Sequence, residues 1–97
     1  MRKVDEIYQC VYNAVTDEIE LPDNWMSCRM EDCVDARYIL VNHLLSKGLS
    51  RRQIEFKTGL PKTTVRQYIN TYIERVKTRK MMVIWGADIG QKIGDKT

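Results

Sequence analysis

Apolar residues recur along the first part of the chain at helical spacing: Ile7, Cys10, Val11, Ala14 and Val15 lie at i, i+3, i+4, i+7 and i+8. This stripe predicts a helix over about Val4 to Ile19 with one face packed on a core. Leu21, Pro22, Asp23 and Asn24 interrupt the pattern, and Trp25 and Met26 are expected to tuck against the core from a short irregular segment. Ser27 or Asp32 is placed to cap a second helix, over about Glu31 to Lys47. There Val34, Tyr38, Val41 and Leu45 form one stripe, and Cys33, Ala36, Ile39, Leu40 and Leu44 occupy the other sides. A helix apolar on most sides belongs at the centre of a bundle. Gly48 suits a left-handed C-cap, and Ser50 suits the N-cap of the helix that follows.

The stretch from Ser50 to Asn70 reads SRRQIEFKTGLPKTTVRQYIN. A short helix ends at Thr58, Gly59 and Leu60, because Gly59 can take the positive φ that lets two helices meet steeply, with Leu60 as an apolar plug under the turn. Pro61 stands where the first turn of a helix tolerates a missing N–H. A long helix then runs to about Lys80, with Val65, Ile69, Tyr72, Ile73 and Val76 on the face expected to meet the core. Lys62, Thr63, Thr64, Arg66, Gln67 and Asn70 carry groups that hydrogen-bond phosphates and base edges. Glu55, four residues before Gly59, occupies a position where close helix packing favours a small side chain. Its side chain therefore leans outward or the crossing differs.

Beyond Lys80 the run Met81 to Trp85 is apolar and fits a strand, a helix extension or a strap across the first helix equally well. Exposing all of it is costly, so it is buried within the chain or in a dimer contact. The final residues, about Gly94 to Thr97, are expected to fray. The division read from the pattern is a helical domain over 1–80 and an apolar extension with its tail over 81–97.

Charge sharpens this picture. The whole chain of 97 residues is only +3, but residues 1–46 hold four bases against nine acids, a net of −5, while residues 47–80 hold ten bases against two acids, a net of +8. Such a basic segment is an electrostatic footprint for a polyanion, or else a solvated helix face. Three cysteines, Cys10, Cys28 and Cys33, form no disulfide framework and suit a reducing compartment. No apolar run approaches the roughly 20 residues of a bilayer span, so a cytoplasmic location is expected. His43 has no ligand-type neighbour at i±3 or i±4, and no catalytic, metal or cofactor constellation is evident.

The order of these features resembles the C-terminal DNA-binding domain of the bacterial replication initiator DnaA, a module related in fold to the Trp repressor. The resemblance covers about residues 4 to 79. It rests on SCRMEDCVDARYILVNHLL, with Val34, Ala36, Arg37 and Ile39, on LSRRQIEFKTG, and on Thr63 to Val65. It implies an all-α helix-turn-helix bundle of four or five helices, and a basic loop whose arginine, Arg29 here, enters the minor groove. Pro61 and Lys62 replace the family's base-reading Asp-His pair, so the resemblance implies the domain without its box specificity.

The expected function is binding of double-stranded DNA by a small regulator of transcription or replication, without enzymatic activity. Arg51, Arg52, Lys62, Thr63 and Thr64 would hold phosphates. Arg66, Gln67 and Asn70 would reach bases, and Arg29 would add a flanking contact. A homodimer is admitted as a partner, and no membrane or small-molecule substrate is indicated. The competing reading is a helical protein–protein adaptor that uses the acidic half or the Met81 to Trp85 run.

Overall fold

The computed structural model describes residues 3–96, without the side chains at 95 and 96. Among these residues the chain forms six helices: α1 (Val4–Glu18), α2 (Glu31–Ser46), α3 (Arg51–Thr58), α4 (Lys62–Asn70), α5 (Tyr72–Thr78) and α6 (Lys80–Lys96). The apolar stripe of α1 points inward as its spacing requires, with Val11, Ala14 and Val15 fully buried and Asp5 and Glu6 in the first turn, where they complement the helix dipole. Trp25 closes one end of this core. It is 2% exposed, its ring lies 5.4 Å from that of Tyr12, and its Nε1 donates to the Tyr12 hydroxyl at 3.2 Å.

α2 is the central helix and packs against α1, α3, α4 and α6. Cys33, Ala36, Tyr38, Ile39, Leu40, Val41 and Leu44 are all buried, on nearly every side of it. Neither Ser27 nor Asp32 caps it. Met30 occupies the cap position without a side-chain bond, and the acids Glu31 and Asp32 in the first turn supply the electrostatic complement instead. The other end follows the expectation closely. Gly48 has φ 102, its N–H donates to the Leu45 carbonyl at 3.1 Å, and the Leu49 N–H donates to the Leu44 carbonyl at 3.2 Å. This pair of bonds is a Schellman closure, and Leu49 folds into the core beside it, 3% exposed.

Ser50 then starts α3 with a reciprocal capping box: its Oγ accepts from the Gln53 N–H at 3.1 Å, and the Gln53 side chain accepts from the Ser50 N–H at 2.8 Å. Gly59 ends the helix at φ 73, as read from the sequence, and Leu60 packs partly buried against the core.

The long helix expected to reach Lys80 is instead three elements. Thr71 breaks it at φ −108, and Arg79 is extended at ψ 96 before α6 begins. Side chains bond carbonyls at the first break: Thr71 Oγ1 joins the Thr71 N–H on the Gln67 carbonyl, at 2.7 Å and 2.9 Å, and Asn42 Nδ2 of α2 donates to the Tyr68 carbonyl at 3.1 Å. The break also changes the inward face. Tyr68 is buried, whereas Ile73 is 69% exposed.

The Met81 to Trp85 run resolves as the first turns of α6, which lies mainly against α1. Met82, Ile89 and Ile93 are buried in the same cluster as α1 and α2, while Met81, Val83 and Ile84 remain exposed. The helix continues to Lys96 through most of the stretch expected to fray, and Thr97 lies outside the described residues.

Candidate nucleic-acid interface

The basic segment folds as α3, a three-residue turn and α4. Within the turn, Thr58 Oγ1 donates to the Ile54 carbonyl at 2.6 Å and accepts from the Leu60 N–H at 3.3 Å, so one hydroxyl spans the change of direction. Pro61 is extended at ψ 152 and precedes α4 without a side-chain cap. The amides at the start of α4 therefore have no intrahelical or capping partner. Glu55 is half-buried rather than fully turned away.

α4 has two distinct faces. Val65 and Tyr68 are buried. Lys62, Thr63, Arg66, Gln67 and Asn70 are exposed and recur at i, i+1, i+4, i+5 and i+8, a stripe along the helix, with Thr64 half-buried at its edge. Arg51 and Arg52 are exposed on the first turn of α3.

The inner face is clamped to α2. The Tyr68 ring sits 4.3 Å from the Tyr38 ring, Tyr38 and Thr71 share a hydroxyl hydrogen bond of 3.0 Å, and Asn42 Nδ2 also donates to the Tyr38 carbonyl at 2.8 Å. Arg37 adds the least expected contact. It is 7% exposed, its Nε donates to the Tyr68 hydroxyl at 3.1 Å, and its Nη1 donates to the carbonyls of Trp25 at 2.6 Å and Cys28 at 2.7 Å. One guanidinium thus ties the irregular segment before α2 to α4. Arg29 follows Cys28 on that tethered segment and is itself exposed.

Several bases of the +8 segment are internally neutralised. Asp35, fully buried on α2, accepts from Arg75 Nε at 2.8 Å and from Arg79 Nε at 2.9 Å. Arg79 also meets Glu31 at 2.6 Å, and its hydrogen bond to Asp35 is the main reason its guanidinium pKa is raised. Lys57 pairs with Asp5. Acids of the N-terminal half therefore answer bases of the C-terminal half. Among the described residues Arg51, Arg52, Lys62 and Arg66 have no such partner.

The structure gathers Arg51, Arg52, Lys62, Thr63, Thr64, Arg66, Gln67 and Asn70 on one helix pair, and links the Arg29 segment to it through Arg37. Hydropathy periodicity missed the anchors Tyr68, Asn42, Asp35 and Arg37. The available signal was two charged residues, Asp35 and Arg37, inside an otherwise apolar helix, since charges are rarely buried unless paired.

Among the described residues no group of three His, Cys, Asp or Glu side chains could hold a metal ion, and no helix is long and apolar enough to cross a membrane. No family model, no curated protein and no solved structure matches this chain. The descriptions DnaA-like, Trp-repressor-like, transcription regulation and DNA replication are accordingly corrected to the one the fold sustains, an all-α bundle of six helices among the described residues.

Proposed function

We propose that α3 and α4 act as a helix-turn-helix and bind duplex DNA, with α4 lying in the major groove. The observation that carries this reading is the exposed stripe Lys62, Thr63, Arg66, Gln67 and Asn70, free of ion pairs, on a helix whose opposite face is clamped. At nine residues, α4 is about 13 Å long, enough to follow a few base pairs. Its open N-terminal amides, with Lys62, Thr63 and Thr64, suit a phosphate, as do Arg51 and Arg52. Arg66 matches guanine, and Gln67 and Asn70 match adenine. Arg29 supplies a further contact from the tethered segment.

A second reading, a helical adaptor for another protein, is favoured by Phe56, which is 83% exposed beside a recess of about 470 Å³ lined by Val4, Arg52, Gln53 and Lys57. Fluorescence anisotropy with labelled duplexes at about 50 mM salt separates the two. Duplex binding that Arg66→Ala makes less selective, and that Phe56→Ser leaves intact, supports the first. Absence of duplex binding at that salt removes it.

A further inference from the structure

We propose that the outer face of α6 pairs, antiparallel, with α6 of a second copy of this chain to form a reversible homodimer. From 81 to 94 the exposed residues of this helix are Met81, Val83, Ile84, Ala87, Gln91 and Gly94, and none is charged. Met81, Val83 and Ile84 are 43, 56 and 52% exposed. The two charged residues of the stretch lie toward α1 instead: Lys92 pairs with Glu18 at 3.1 Å, and Asp88 lines the same recess as that pair. A helix face covered only by water is ordinarily charged or polar, and a contiguous apolar patch marks a contact surface.

The order of residues along the face selects the occupant. Lys80, Ile84, Ala87, Gln91 and Gly94 are spaced by four and three, the seam of a two-helix coil. The first half of the face is bulky and the second small or neutral, so it complements itself when a second copy runs the other way. A two-fold axis level with Ile89 sets Ile84 over the partner's Gly94 and Ala87 beside the partner's Gln91. Gly94 has no such role within its own chain. It is helical, and a Cβ there would meet nothing within 4 Å, although glycine weakens a helix interior. Charge agrees with the antiparallel sense. Lys80 opens α6, whose first turn holds no acid, and there a cation opposes the helix dipole; the second copy brings the carbonyl end of its own α6 toward Lys80.

The size of the contact sets its strength. With 17 residues α6 is about 25 Å long, and the outward half of a cylinder about 11 Å across offers roughly 400 Å². A standard interface takes about 800 Å² from each partner, so this pairing belongs at the small, transient end and depends on concentration. The face is separate from the α4 stripe, and the inference does not rest on DNA binding.

The test is analytical sedimentation of the whole chain without DNA, from about 10 to about 500 µM, the range of a transient contact. The expected result is a mass that rises with concentration from 11.4 kDa towards twice that value. Ala87→Glu, at an exposed position where glutamate is a good helix former, is expected to leave the fold intact and weaken dimerisation about tenfold or more. Gln91→Lys added to it should restore the dimer, because each introduced carboxylate then meets an introduced ammonium on the other copy. Ile84→Glu serves as a second disrupting variant, and Phe56→Ser on α3 should change nothing. A chain that stays monomeric at about 500 µM leaves the face to some other partner and overturns the proposal. So would a dimer that survives both Ala87→Glu and Ile84→Glu, one lost with Phe56→Ser, or one that Gln91→Lys does not restore.

Discussion

Arg37 shows how one side chain can set the geometry of a surface it does not belong to. Its guanidinium satisfies two carbonyls of the segment before α2 and the hydroxyl of Tyr68, all in a place that water barely reaches. Arg37→Ala leaves these three acceptors short of a donor, and a loss of about 3 kcal/mol is expected in urea unfolding, since charged hydrogen bonds each contribute about 1.5–3 kcal/mol and the gap admits some water. His43 offers a second test at this scale. Burial lowers its pKa below 6.5, against a smaller opposing contribution from the Gly86 backbone. A depressed folded pKa means the unfolded chain binds the proton more tightly. The stability contributed by neutral His43 is therefore present above pH 6.5 and is lost as pH falls below it. Urea midpoints measured from pH 7 down to about pH 5 should fall, and His43→Gln should flatten that slope. Neither role was legible from residue spacing, because Arg37 and His43 take their meaning from α4 and α6, which are distant in the chain.

At the scale of elements, the caps set by a glycine or a serine were legible, while the start of α2 and the ends at Thr71 and Arg79 were not. Gly48, Ser50 and Gly59 were each read correctly because a cap is local: the residue type and its immediate neighbours determine the backbone. The interruption at Thr71 was not, since the 3.6-residue rhythm continues through it while hydrogen bonds from Tyr38 and Asn42, on another helix, impose the break. The fate of Met81 to Trp85 was likewise open until α1 supplied the surface that buries Met82. Gly59 gives the clearest prediction here. Nothing lies within 4 Å of where its Cβ would be, so substitution meets no side-chain clash and only the φ of 73 is penalised. Gly59→Ala should cost about 1–2 kcal/mol in thermal unfolding, and Gly59→Asn should cost less, because asparagine tolerates the left-handed region. Equal losses for the two would point to a packing role instead.

Across the whole molecule, the separation of charge along the chain turns out to be partly an internal matching of acids to bases. Asp35, Glu31, Asp32 and Asp5 take up Arg75, Arg79 and Lys57; among the described residues Arg51, Arg52, Lys62 and Arg66 on α3 and α4 stay without an acid partner, as do Lys77 on α5 and Lys80 on α6. The count from composition was correct in sign but spread the footprint over too many residues. Folding pairs three of its ten bases, Lys57, Arg75 and Arg79, and leaves Arg51, Arg52, Lys62 and Arg66, the positions the proposed DNA contact requires, among those without an acid partner. The decisive measurement is the salt dependence of duplex affinity by anisotropy, for the unmutated chain, Arg52→Ala, Lys62→Ala and Lys92→Ala. Lys92 is the control, paired with Glu18 at 3.1 Å on α6. The account predicts that Arg52→Ala and Lys62→Ala each reduce the slope of log affinity against log salt by about 1, and that Lys92→Ala leaves it unchanged. No duplex binding at about 50 mM salt, or an equal change from all three substitutions, would contradict it.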